Sequence, residues 1–305
     1  MSIKHVCPFL FLIPFLILYS CEKEITFDLD TPEDMLCLNC ILEADNDSVA
    51  IYVTKVQSVQ NDTAFTPVAN ARIELSKEGQ LLQGIVYRGN GRYLLKHKPE
   101  VGKKYEISVE VDGYKTLTAE TIIPAFPIAN AIMKQDTIFD EYWVNGYRTK
   151  NKLVINIEDT PTKDYYWFQI AMIYNYEGKQ PFGDYYSSYM SDKMYFDEFN
   201  RYYMQDITYP FTNYEYKGAL RLDDEVFTNS KIQFSLAAKP PITLFIINGD
   251  VYFDKYYKSS IKQFLTYEYD DLPIFEPVQM YSNIENGFGI FGSIAIADFY
   301  IADKK

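Results

Sequence analysis

The stretch Tyr105-Glu-Ile-Ser-Val-Glu-Val111 decides the fold. Its apolar residues fall at every second position, so on an extended chain one face meets a core and the other meets water. Asp112-Gly113 then turns the chain, and Tyr114 to Ile122 continues as a second strand. Upstream, Ala71-Arg-Ile-Glu-Leu-Ser76 alternates in the same way and Lys77-Glu78-Gly79 closes it with a turn. Leu81 to Tyr87 and Tyr93 to Lys96 flank Arg88-Gly-Asn-Gly91, whose Asn-Gly pair supplies the positive φ of a hairpin turn. Val49 to Val56, rich in β-branched residues, and Met35 to Leu42 complete the set. Strands at this spacing predict an antiparallel β-sandwich over residues 35–124. Pro124 and Pro127 end it.

Residues 125–305 predict a second β-rich domain. Leu153 to Ile157, Tyr165 to Tyr174, Lys231 to Leu236 and Ile242 to Ile247 read as strands. One amphipathic helix is expected over residues 251–269, with Asp250 as its N-cap. Phe253, Tyr257, Ile261, Phe264 and Leu265 recur at helical spacing, and Asp254, Lys255, Lys258 and Lys262 are expected opposite them. Residues 177–217 form a Tyr-rich insert with almost no Val, Leu or Ile. Tyr185, Tyr186, Tyr189, Tyr195, Tyr202, Tyr203 and Tyr209 are its candidate surface for a ligand or partner, because tyrosine joins a rigid apolar face to a polar tip. A locally packed aromatic flap is the alternative. Trp143 and Trp167 are further stacking candidates, unless they belong to the core.

The N-terminus supplies an address. Lys4 and His5 precede an apolar run from Val6 to Leu18, and Ser20-Cys21 follows. That is the layout of a secretory leader over residues 1–20, and its core is shorter than the roughly 20 residues a membrane-spanning helix needs. Leu18-Tyr-Ser-Cys21 resembles a bacterial lipobox, which implies that Cys21 becomes the first mature residue and carries lipid on its sulfur and its amine. Residues 21–34, with Glu22, Glu24, Asp28 and Asp30, read as an acidic tether. That stretch also resembles the charged export signals that send some lipoproteins to the outer membrane, which implies that place, held by the N-terminal lipid, with the face left open.

Composition closes several routes. The chain has 305 residues, 29 Lys and Arg against 42 Asp and Glu, and a net charge of −13, which argues against nucleic acid as a partner. Two histidines, His5 and His97, leave little for histidine-based metal sites or triads. His97, between Lys96 and Lys98, reads as a solvated strand end. Cys37 and Cys40 are spaced C-x-x-C, yet Met35 to Leu42 reads as a strand. On a regular strand residues three apart point to opposite faces, so two small hydrophobes are expected. A local disulfide across a bulge is the other reading. No metal site and no cofactor are expected. Gly287-x-Gly-x-x-Gly292 spells a dinucleotide fingerprint but lacks the following helix, since Ser293 to Ile301 reads as a strand. Its glycines are expected to permit close backbone approach, locking the last strand.

Two resemblances follow. Asn70-Ala-Arg-Ile-Glu-Leu75, Gly91-Arg-Tyr93 and Gly102 to Val109 resemble transthyretin-like modules, which implies an Ig-like sandwich scaffold. The run Phe275-Glu-Pro-Val-Gln-Met-Tyr-Ser-Asn-Ile-Glu-Asn-Gly-Phe-Gly-Ile-Phe-Gly292 resembles the closing signature of Bacteroidetes outer-membrane lipoproteins grouped as domain of unknown function 4249. That resemblance implies a binding or accessory subunit beside a TonB-dependent (SusC-like) nutrient importer. A free-standing surface lipoprotein that binds a glycan or peptide is the second reading. A carboxylate-based hydrolase is the third, and the missing G-x-S-x-G, H-E-x-x-H and P-loop motifs weigh against an enzyme.

Overall fold

Alternation is realised from the first described strand. In a computed structural model, Leu36, Leu38, Cys40 and Leu42 point inward, while Cys37, Asn39, Ile41 and Glu43 are half-buried on the other face. The structure describes residues 35–56, 65–139, 147–158, 160, 162–174, 182–185, 208–211, 214–217, 220–223, 231–237, 241–268 and 279–302.

The strands in chain order are β1 (Leu36–Glu43), β2 (Val49–Lys55), β3 (Thr66–Pro67), β4 (Arg72–Lys77), β5 (Gln80–Leu82), β6 (Val86–Tyr87), β7 (Arg92–Leu95), β8 (Lys104–Glu110) and β9 (Leu117–Ile122). They continue as β10 (Ile128–Phe139), β11 (Tyr147–Glu158), β12 (Tyr165–Tyr174), β13 (Phe182–Tyr185), β14 (Thr208–Phe211), β15 (Tyr214–Lys217) and β16 (Leu220–Asp223). Last come β17 (Lys231–Ala237), β18 (Ile242–Gly249), the helix α1 (Val251–Glu268) and β19 (Phe288–Ile301). The fold is mainly β, with the helix at the predicted place.

A ten-stranded sheet runs β13-β12-β18-β19-β1-β2-β7-β6, with β16 added to β12 and β3 to β2. A four-stranded sheet, β5-β4-β8-β9, packs on one end of it. Leu38, Ile51, Leu75, Tyr105, Ile107 and Leu117 meet between the two in one core. A three-stranded sheet, β10-β11-β17, shares a second core with β12 and β18 through Leu153, Ile155, Phe168, Leu244 and Ile246. Burying each such side chain is worth about 1.5–3 kcal/mol. Phe291 and Phe299 of β19 belong to the two cores in turn and sit at same-face spacing, so both smaller sheets cover one face of the large one. The helix covers the other face, where Tyr257 meets Trp167 edge-on at 4.5 Å.

Every pairing described within residues 35–124 is antiparallel, as expected. The last strand joins that region by a parallel seam: β19 lies parallel to β1, from Cys37 opposite Phe288 to Glu43 opposite Ile294. Strands from 35–124 and from 125–305 share the large sheet, and Glu33–Lys305 forms one compact unit. Other expectations are corrected. The stretch Leu81 to Tyr87 is not one strand. Gln83-Gly84-Ile85 interrupts it, sending β5 to the four-stranded sheet and β6 to the large one. The final strand starts at Phe288, not Ser293, because its glycines extend the pairing instead of ending it.

Asp254 is not on the solvent face of the helix but is buried beside Phe253 and Tyr257. Trp167 is fully buried and offers no stacking surface. His97 is half-buried, its Nε2 2.9 Å from the Tyr105 hydroxyl. Cys37 and Cys40 are both free, as the strand geometry requires, and Cys40 is the more deeply buried.

Candidate binding groove

Three polar clusters hold the layers together. Arg221 on β16 reaches Asp254 on the helix through Nε at 2.6 Å and Nη2 at 3.0 Å. The indole of Trp167 donates to the same carboxylate at 3.2 Å. Asp164 accepts from Asn248 at 2.7 Å, from Tyr166 at 3.0 Å and from the hydroxyls of Thr160 and Thr162. Asn248 also donates to the carbonyl of Ala125, fixing the chain where it leaves the four-stranded sheet. Asp250 caps the helix through the Phe253 amide at 2.6 Å and accepts from the hydroxyls of Thr121 and Ser293. Burial pushes the Asp250 carboxyl up to about 6, outweighing those hydrogen bonds. Asp164, Asn248, Arg221 and Asp254 are closed to solvent, so the first two clusters serve the packing.

Among the described residues an accessible groove of about 550 Å³ lies on the outer face of the four-stranded sheet. Alternation sends Glu74 and Ser76 of β4, Glu106 and Ser108 of β8, and Thr118 and Glu120 of β9 to this face. Register puts Glu74 opposite Ser108 and Glu106 opposite both Ser76 and Glu120. Like charges directly opposite repel, and Lys104 answers this with its ammonium 3.0 Å from Glu106 and 2.7 Å from Glu120. Those carboxylates hold the Lys104 ammonium well above its ordinary range.

The far wall comes from the closing signature. The Glu285 amide donates to the carbonyl of Thr118 at 2.9 Å, and the Thr118 hydroxyl donates to Glu285 Oε2 at 2.7 Å. Asn283 is fixed in place because its side chain donates to the carbonyl of Phe291 and accepts from the Phe291 amide. Tyr252, in the first turn of the helix, closes one end of the groove.

The glycines of the signature act as the sequence reading expects. A Cβ on Gly287 would stand 2.6 Å from Leu117 Cδ2 and 2.7 Å from the carbonyl oxygen of Leu36. On Gly289, at φ +108°, it would stand 2.1 Å from the carbonyl oxygen of Leu38. Both glycines admit β1 and the four-stranded sheet against β19.

Of the residues singled out from sequence, Tyr185 falls in β13 opposite Ala171, and Tyr209 falls in β14 opposite Tyr216. Cys21, Trp143, Tyr186, Tyr189, Tyr195, Tyr202 and Tyr203 lie outside the described residues. The groove was missed as a site. Its acidic positions are legible as the outward half of the alternation, whereas Glu285 joins them only through the tertiary fold. Among the described residues no His, Cys, Asp or Glu group is arranged to hold a metal ion, and no helix is long and apolar enough to cross a membrane.

Mainly-β sheets stacked on one face of a shared ten-stranded sheet, with a helix on the other and an acidic groove outside, define a β-layered module with a preformed surface site. The family model described as domain of unknown function (DUF4249) matches residues 22–299, and the chain belongs to that family. No curated protein matches the chain.

Proposed function

We propose that this protein is a lipid-anchored binding or accessory protein of the outer membrane that works beside a TonB-dependent nutrient importer. The observation that carries this reading is the run Leu18-Tyr-Ser-Cys21 behind an apolar leader and ahead of an acidic tether. The family match opens at residue 22, directly after the cysteine that would bear the lipid. Acyl chains at about 0.8 kcal/mol per buried CH2 would hold the body at the membrane. Tethering also raises the module's local concentration around a membrane partner without any new contact.

The groove supports binding over hydrolysis, because Lys104 occupies the space between Glu106 and Glu120 where a reacting atom would have to sit. The test is mild detergent extraction of the tagged full chain from its native membranes. A TonB-dependent receptor recovered in fixed proportion is the expected result. Repeated recovery of the chain alone would overturn the importer reading.

A further inference from the structure

We infer that the groove over β4, β8 and β9 is the seat of a lysine- or arginine-bearing segment of a partner protein. This rests on the reading of the chain as a binding module, and it names the chemistry of the bound segment. Glu74, Glu106, Glu120 and Glu285 converge on the groove, and Lys104 is the cation that sits between two of them. The remaining polar groups on the floor are hydroxyls, two of them directly across from carboxylates. Asn283 spends its side chain on Phe291. The carboxylates present acceptors and negative charge, the hydroxyls can donate or accept, and a guest complementary to the carboxylates must bring N–H donors and positive charge.

The surface already shows how it would hold such a group. The Lys104 ammonium sits within 3.0 Å of two carboxylates that face one another across adjacent strands. Glu74 and Glu285 lie on either side of that arrangement, on β4 and on the closing segment. Leu81, exposed and opposite Ser76 on the groove face, offers an apolar contact to the methylene stem of a lysine or arginine, whose charged head stays near water. A volume of about 550 Å³ lies within the range of ligand-sized pockets.

The experiment titrates the full chain in detergent micelles with a fluorescent peptide of alternating Lys and Ser, read by anisotropy at low and physiological salt. A peptide with Glu in place of Lys is the charge control. The Lys peptide is expected to bind with an affinity that falls with salt, and the Glu peptide is expected not to bind. Glu74→Gln with Glu285→Gln should weaken the Lys peptide at least tenfold. Asp45→Asn with Asp298→Asn, on exposed positions away from the groove, should leave it unchanged. Glu74→Lys alone, at an exposed side chain, repeats the test if the double variant melts early.

Absence of binding, an equal loss in the Asp45/Asp298 control, or binding of spermidine without binding of the peptide would each overturn the proposal. Groove variants that lose the peptide while the native membrane complex still co-purifies would overturn this inference and leave the proposed function standing.

Discussion

Arg221 and Asp254 are joined by two hydrogen bonds, Nε to Oδ1 at 2.6 Å and Nη2 to Oδ2 at 3.0 Å, with both side chains almost wholly removed from water. The pair fastens the helix to the edge of the large sheet. Removing one partner leaves the other charge buried and uncompensated, which costs far more than the pair itself is worth. Asp254→Ala should therefore destabilise the fold by about 3–5 kcal/mol in urea denaturation. Replacing both residues together, Arg221→Met with Asp254→Leu, should recover most of that loss. A double variant as unstable as the single one would show that the pair is not the source of the effect.

Asp250 makes stability depend on pH in a stated direction. Its carboxyl has a folded pKa of about 6 against an ordinary value of 3.8, so folding disfavours its charged form. Below the unfolded value both states are protonated and nothing is lost. As pH rises through the interval from 3.8 to about 6, the unfolded chain releases its proton first and stability falls, levelling above about 6. The loss is on the order of 3 kcal/mol. Asp250→Asn keeps a good N-cap and removes the charge, so it should gain stability at pH 7.5 and lose that advantage at pH 4. Urea midpoints of both proteins across that range check the sign, and a constant difference would refute the assignment.

Gly289 tests the parallel seam. A methyl there would collide with the carbonyl of Leu38 at a positive φ that other residues rarely adopt. Gly289→Ala should cost at least ~2 kcal/mol, through strain and displacement of β1 from β19. Gly79→Ala, which meets nothing within 4 Å although its φ is also positive, should cost less. Thermal melts of the two variants side by side separate collision from backbone strain.

Cys37 and Cys40 should behave as two thiols of unequal reach. Burial pushes both thiols up, Cys40 well beyond Cys37, whose rise is offset in part by hydrogen bonds from Asn39 and Thr54. Alkylation of the folded protein at pH 8 should be slow at Cys37 and slower still at Cys40, with both reacting at once in denaturant. Thiol reductant should leave the melting temperature unchanged. A reductant-sensitive melt would instead reveal a disulfide.

The legible parts of this fold are the local ones. The helix was readable because Phe253, Tyr257 and Ile261 keep a 3.6-residue period behind an Asp cap. The strands around Tyr105 were readable because period-two burial leaves its mark within seven residues. The parallel pairing of β1 with β19 was not, because the two strands are some 250 residues apart and either could pair with many others. Asp254 was misplaced by its charge alone, since its burial depends on Arg221 arriving from another strand. Glu74, Glu106 and Glu120 could be placed on one sheet face by alternation, but nothing local announced that Glu285 would line the same groove. The signature glycines carried a signal of close approach, without saying which strands approach.

The anchor is the claim on which the proposed function turns. Intact mass spectrometry of the N-terminal peptide, from protein extracted out of native membranes, tests it most directly. The mature chain is expected to start at Cys21, with a diacylglyceryl thioether on the sulfur and an acyl group on the amine. A free thiol at Cys21, or a mature chain that starts elsewhere, would contradict it.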